Sequence, residues 1–229
     1  MPSRVTWQVD HSRPTTLVRL GGTLDVDNAG SVRNALNECL AAQPDALVVD
    51  VRDLTVADRR ALPVFAAAAR QAAEWPGIPV VLWQPEGTGA ASVPPAVALT
   101  GGRQRRSSQV RVRLQPVADA CRHARELARD GCERWGLPSL AGPVSVVLSE
   151  LVTNVVRHAG TAMDVRLTLR APYLHIAVAD GHPGSPRPRN SHPTTEGGRG
   201  LLLVRSLTER WGFLPVGEGK VVWATLATA

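Results

Sequence analysis

The stretch S-E-L-V-T-N-V-V-R-H-A-G, Ser149 to Gly160, decides how the second half of this chain is read. With Val146 and Val147 before it, apolar residues recur at Leu151, Val155 and Val156. That spacing is the period of a helix with one apolar face turned to a core. Glu150, Asn154 and His158 stand at i, i+4 and i+8, so a straight helix stacks them on one side. Ser149, Thr153 and Arg157 run beside that row. Asn is a poor residue for a helix interior unless its side chain has a use. A carboxylate and an amide one turn apart are suited to holding a hydrated Mg²⁺ and steering a hydroxyl toward a phosphate. An amphipathic helix with incidental polar residues explains the same letters, and at this point both readings stand.

Two strands are predicted next, Met163–Arg170 and Tyr173–Asp180, where Val165, Leu167 and Leu169, then Leu174, Ile176 and Val178, alternate with their neighbours. The second ends in D-G-H-P-G-S-P. An acid closing a buried strand can accept from a base amine, and it can equally open a Gly/Pro turn. A polar, Pro-rich stretch follows and reads as a lid. G-G-R-G-L-L-L-V-R-S-L, Gly197 to Leu207, then starts a helix directly after glycines. Backbone amides at such a start suit phosphate, and a plain helix cap suits them nearly as well. Strands at Gly212–Val216 and Lys220–Ala227 complete a sheet.

From about Val110 to Ala229 this order resembles the anti-sigma factor serine kinase branch of the histidine-kinase-like ATPases. S-E-L-V-T-N-V-V-R-H-A-G is the most specific part of the match, and G-G-R-G-L-L-L-V is the next. The resemblance implies the α/β sandwich shared with gyrase and Hsp90, the Bergerat type, with ATP and Mg²⁺ as cofactors. It implies Glu150 as general base on the attacking hydroxyl and Asn154 as the Mg²⁺ ligand. It implies Asp180 as acceptor from the adenine amino group, with Gly184 closing the turn after it. Gly198, Arg199, Gly200 and Leu201 correspond to the phosphate-facing turn, and His158 to a histidine near the nucleotide. The usual Asp-x-Gly-x-Gly turn here reads Asp180-Gly181-His182-Pro183-Gly184, with His182 in place of the first family glycine.

The front of the chain is a separate unit. A strand is expected at Thr16–Leu20, a helix at Asp27–Ala42, a buried strand at Ala46–Val51, a helix at Arg59–Trp75 and a strand at Val80–Trp83. Pro95–Thr100 is expected to be a last short helix. Strands alternating with helices give a layered α/β sheet. L-V-R-L-G-G-T-L-D-V and A-L-V-V-D-V-R-D-L-T-V-A-D-R-R-A-L resemble the STAS family of anti-sigma factor antagonists, over about residues 4 to 102. Where that family has Asp-Ser-Ser-Gly-Leu, this chain has Asp58-Arg59-Arg60-Ala61-Leu62. Arginine cannot accept a phosphoryl group, so the usual switch is missing. Either the domain serves packing and dimer contacts, or the two arginines at a helix start dock an anion or an acidic surface.

The domains are expected at 1–102 and 113–229, with 103–112 as linker around G-G-R-Q-R-R-S-S. A length of 229 residues and a hydrophobic content of 44% suit two ordinary cores. No continuous apolar run approaches the roughly 20 residues of a membrane helix. M-P-S-R-V-T-W has no signal-peptide core, and three cysteines are few and widely spaced, so a cytoplasmic protein is expected. The net charge of +6 comes from arginines mixed with acids, with Lys220 as the single lysine, and carries no recognition-helix pattern, so nucleic acid is not an expected partner. The resemblances imply a sigma factor, an antagonist protein, or both as partners, together with homodimers and an internal STAS–kinase contact. Three functions fit: a serine kinase acting on an antagonist in trans, a nucleotide-gated binding module without turnover, and a regulator with the front domain as scaffold. Glu150 separates the first two, since a pure binder has no use for a base there.

Overall fold

The computed structural model describes residues 4–11, 14–83, 98–99, 108–184 and 199–228. The chain divides into two compact units, Met1–Arg106 and Ser107–Ala229.

The first unit is a five-stranded sheet in the order β1-β2-β3-β4-β5. The strands are β1 (Val5–Asp10), β2 (Thr15–Leu24), β3 (Ala46–Val56), β4 (Val80–Trp83) and β5 (Ala98–Leu99). The inner pairs β2–β3 and β3–β4 are parallel and the outer pairs antiparallel. Parallel neighbours need crossovers, supplied by α1 (Ala29–Ala41) and α2 (Pro63–Glu74). Val18, Leu20, Leu47, Val49 and Val51 from the sheet are buried, as are Val32, Leu36, Leu40, Phe65 and Ala68 from the helices. Entry to α1 is fixed by a reciprocal pair, Asn28 N–H to Asp25 Oδ1 at 2.9 Å and Asp25 N–H to Asn28 Oδ1 at 3.1 Å.

Three expectations change here. The helix expected over Arg59–Trp75 is a 3₁₀ turn, Arg59–Ala61, followed by α2, because Pro63 can begin a helix but not continue one. The described part of Pro95–Thr100, Ala98–Leu99, is a strand and not a helix, held antiparallel against Val80 and Val81. β1 is absent from the expected elements although Val5, Trp7 and Val9 alternate with Thr6, Gln8 and Asp10, and it forms by pairing with β2 from Val5↔Gly22 to Asp10↔Leu17.

The second unit is an antiparallel sheet in the order β6-β7-β8-β10-β9. Its strands are β6 (Ser108–Leu114), β7 (Met163–Arg170), β8 (Tyr173–Asp180), β9 (Arg210–Val216) and β10 (Gly219–Ala227). Residues 108–112, expected as linker, are therefore strand and pair with β7. The helices are α3 (Ala120–Arg134), α4 (Ala141–Asn154) and α5 (Arg199–Leu207). Cross-strand register puts Val165, Val178 and Val222 in one row and Leu167, Ile176 and Ala224 in the next. Val144, Val147, Leu148, Leu151, Val152 and Val155 belong to the same core cluster as those rows. Val146, expected on that face, is instead exposed.

Pro138–Ala159 taken as one helical segment is long and apolar enough to cross a membrane, with a mean hydropathy of 1.5. It is read as a core helix, because its valines and leucines form the core just described and Glu150, Asn154, Arg157 and His158 interrupt its other side. After Asn154 the helix widens into a π turn, Val155–Ala159, closed by Gly160 in the left-handed region at φ 63°. The Gly160 N–H donates to the Val155 carbonyl at 2.8 Å.

His175 in β8 is buried, and burial, helped by the charge of Arg170, pushes its imidazole down from 6.5 to about 3. The unfolded chain therefore takes up a proton that the native one refuses. This contribution to stability is intact above pH 6.5 and is lost as pH falls toward 3. Urea unfolding between about pH 7 and about pH 4.5 should show a slope steeper than that of His175→Phe by up to about 1.4 kcal/mol per pH unit. Equal slopes would contradict the assignment.

Candidate functional site

α4 and the ends of β8 and β10 carry the candidate site. The apolar face of α4 lies in the core, which leaves Glu150 and Asn154 half-buried on the rim, one turn apart. The first turn of α5 lies directly against Glu150. A Cβ placed on Gly200 would collide with Glu150 Oε2 and stand 3.3 Å from its carboxyl carbon. Glycine at 200 is thus what lets the helix start and the carboxylate come together. The π turn changes the expected stack. His158 lies within that wider turn, so it leaves the straight row of Glu150 and Asn154, and its side chain is exposed.

Asp180 ends β8 with its side chain 1% exposed. Oδ1 accepts from the His182 backbone N–H at 2.8 Å and from Lys220 Nζ at 2.9 Å. Oδ2 is buried and has no hydrogen-bond partner among the described residues. A buried carboxylate oxygen left open is costly unless something completes it. Lys220 Nζ also donates to the His182 carbonyl at 2.8 Å. Met163, Asp180 and Lys220 share one register row, at the same end of three adjacent strands. A Cβ on Gly219 would strike the Asp180 carbonyl oxygen, so the start of β10 approaches β8 as only glycine permits.

The turn after Asp180 is tied from both sides. Gly181 N–H donates to Thr161 Oγ1 at 3.0 Å, which joins it to the residue that follows the π turn's closing glycine. Gly184 N–H donates to His182 Nδ1 at 2.9 Å. A Cβ on Gly184 would stand 2.7 Å from His182 Cε1. His182 therefore folds its ring back on its own turn, and Gly184 makes the room.

The expected phosphate-facing turn is described in part. Gly198 and the lid before it lie outside the described residues. Arg199 begins the backbone of α5, and Gly200 and Leu201 are half-buried in its first turn. Sequence reading missed Lys220 and Thr161. Lys220 had one signal, being the single lysine in a chain that otherwise uses arginine; Thr161 had none.

In the first unit, Asp58 Oδ1 caps the 3₁₀ turn by accepting from Arg60 N–H at 2.9 Å. The Arg60 guanidinium returns to the same carboxylate, Nη2 to Oδ2 at 2.6 Å. That guanidinium holds the Asp58 carboxyl below the usual carboxylate range. The position where the STAS pattern has serine is therefore filled by an exposed ion pair, worth little to stability.

Comparison with known proteins agrees with this division. A model of the histidine kinase-like ATPase domain matches residues 105–226. The chain belongs to that family. A model of the STAS domain, of the Mlab type, matches residues 7–77, so the ATPase domain is joined to a STAS domain. No curated protein sequence matches the chain. Among solved structures, the RsbU and RsbW domains of a Mycobacterium tuberculosis protein align at 17% identity and a TM-score of 0.41, over 52% of this chain and 32% of that one. An anti-sigma factor antagonist from Mycobacterium paratuberculosis aligns at 24% and 0.31, over 36% of this chain and 70% of that one. The histidine kinase domain of an Erythrobacter litoralis blue-light activated histidine kinase aligns at 23% and 0.31, over 38% and 44%. This chain thus spans about a third of the first of these structures.

The Gly200 contact is testable without knowing the ligand. Gly200→Ala should fold with an unchanged or higher thermal midpoint, since alanine favours a helix by about 1 kcal/mol over glycine. Its crystal structure should show the Glu150 carboxylate displaced. An unmoved carboxylate, or a collapse in stability, would contradict the packing described.

Proposed function

We propose that the chain is an ATP-binding regulator of the anti-sigma-factor type, whose ATPase domain transfers the γ-phosphoryl group to a serine of an antagonist protein supplied in trans. The observation that carries this reading is the buried, half-satisfied carboxylate of Asp180 in a domain of this family, with Glu150 and Asn154 on the neighbouring helix. Asp180 Oδ2 suits the amino group of a purine. The backbone amides at the start of α5 suit phosphate oxygens. Mg²⁺ needs few protein ligands when phosphates supply the others, so one amide oxygen, that of Asn154, fits it. Bound there, the ion would neutralise charge on the phosphates. Glu150 accepts the proton of the incoming serine hydroxyl.

The chain's own STAS domain has Arg59 and Arg60 at the acceptor positions, so the substrate is a different protein. The partners proposed are a sigma factor and a serine-bearing antagonist, which puts the chain in the cytoplasm. Pairing of two copies and contact between the two domains belong to the same proposal.

The first test is calorimetric titration of Mg-ATP. The wild-type chain should bind at micromolar concentration, and Asn154→Ala should weaken binding about tenfold or more, the worth of a charge-assisted contact. Glu150→Gln should keep ATP affinity within about threefold and lower phosphoryl transfer to STAS proteins bearing Asp-Ser-Ser-Gly by at least about 100-fold. Full transfer by Glu150→Gln would remove Glu150 as base. Binding without transfer by the wild type would leave the nucleotide-gated binding module as the function.

A further inference from the structure

The lysine at the start of β10 is unused by any step above. We propose that Lys220 is a specificity-determining residue, donating a hydrogen bond to the ring nitrogen next to the amino group that Asp180 accepts. The inference rests on the nucleotide reading of this site.

An ammonium group has three N–H bonds. Two are committed, to Asp180 Oδ1 at 2.9 Å and to the His182 carbonyl at 2.8 Å. No described residue accepts the third. The carboxylate it grips has the complementary need, since Oδ2 is buried without a partner among the described residues. A donor and an acceptor are therefore left open within the width of one carboxylate, on side chains 10% and 1% exposed. The edge of adenine offers the matching pair, with the 6-amino group as donor and N1 as adjacent acceptor.

The position of the pair is fixed by the sheet and not by a mobile side chain. Lys220 and Asp180 face each other in register, and Gly219, just before Lys220, packs closely against the Asp180 backbone carbonyl. Lys220 in addition ties the His182 carbonyl, so the turn bearing the non-glycine residue is held by the same ammonium that reads the base. This gives a physical account of how the turn works with histidine at that place. The lost backbone approach is offset by a side-chain donor.

The test uses the full chain, with Mg-ATP, Mg-1-deaza-ATP, which lacks the N1 acceptor, and Mg-GTP. Wild type should bind ATP about tenfold or more tighter than 1-deaza-ATP. In Lys220→Met the two should bind within about twofold of each other, both weaker than ATP to wild type. Removing one partner of a buried pair can unfold a protein. If Lys220→Met does not fold, the comparison of the three ligands on wild type alone decides. Equal binding of ATP and 1-deaza-ATP to wild type overturns the contact, and tighter binding of GTP overturns the orientation of the base. Retained discrimination in a folded Lys220→Met assigns it elsewhere. Absence of any Mg-ATP binding is a different failure, which removes the nucleotide reading and this inference with it.

Discussion

The seam between α4 and the antiparallel sheet holds the rest of the second unit in place. Val144, Val147, Leu148, Leu151, Val152 and Val155 are in one core cluster with Val165, Leu167, Ile176, Val178, Val222 and Ala224. Each fully buried side chain of this kind is worth about 1.5–3 kcal/mol. Only one rotation of α4 about its axis satisfies all of them. That rotation puts Glu150 and Asn154 at the rim, and it makes the site a consequence of the core.

Two glycines convert this scaffold into close contacts. At Gly200 the start of α5 reaches the Glu150 carboxylate, and at Gly219 the start of β10 reaches the end of β8. A single methyl group would displace the Glu150 carboxylate at the first and would strike the Asp180 backbone at the second. The two ends of the candidate site are thus set by missing atoms as much as by functional groups. The polar end has its own constraint, since a buried carboxylate needs a counter-charge, and Lys220 is the only cation that touches Asp180 among the described residues.

Much of this was legible in the letters. β7 and β8 are found at their expected residues, because apolar residues at every second position, Val165, Leu167 and Leu169 and then Leu174, Ile176 and Val178, have the period of a strand. α4 was legible for the complementary reason, an apolar face at helical spacing. The candidate acid and amide one turn apart could be seen because i and i+4 share a face whatever the fold. β1, β5 and β6 were not legible. V-T-W-Q-V-D and S-Q-V-R-V-R-L do alternate, at Val5, Trp7 and Val9 and at Val110, Val112 and Leu114, but runs this short at a sheet edge owe their existence to the neighbour they pair with. The π turn was hidden as well, since V-V-R-H-A continues a good α-helical sequence and the widening appears only in the backbone bonds to Gly160.

By itself, the sequence determined the two modules, the helix that carries Glu150 and Asn154, the acid that closes β8, and the pair of arginines, Arg59 and Arg60, that follows Asp58. These are properties of residue type and local period, which act over a few positions along the chain. Tertiary structure alone decided that Gly200 meets Glu150, that His158 leaves the row, and that Lys220 takes one oxygen of Asp180 while the other has no partner among the described residues. Asp180 and Lys220 are forty positions apart. No local pattern links residues at that separation, and only the register of β8 against β10 brings their charges to one point.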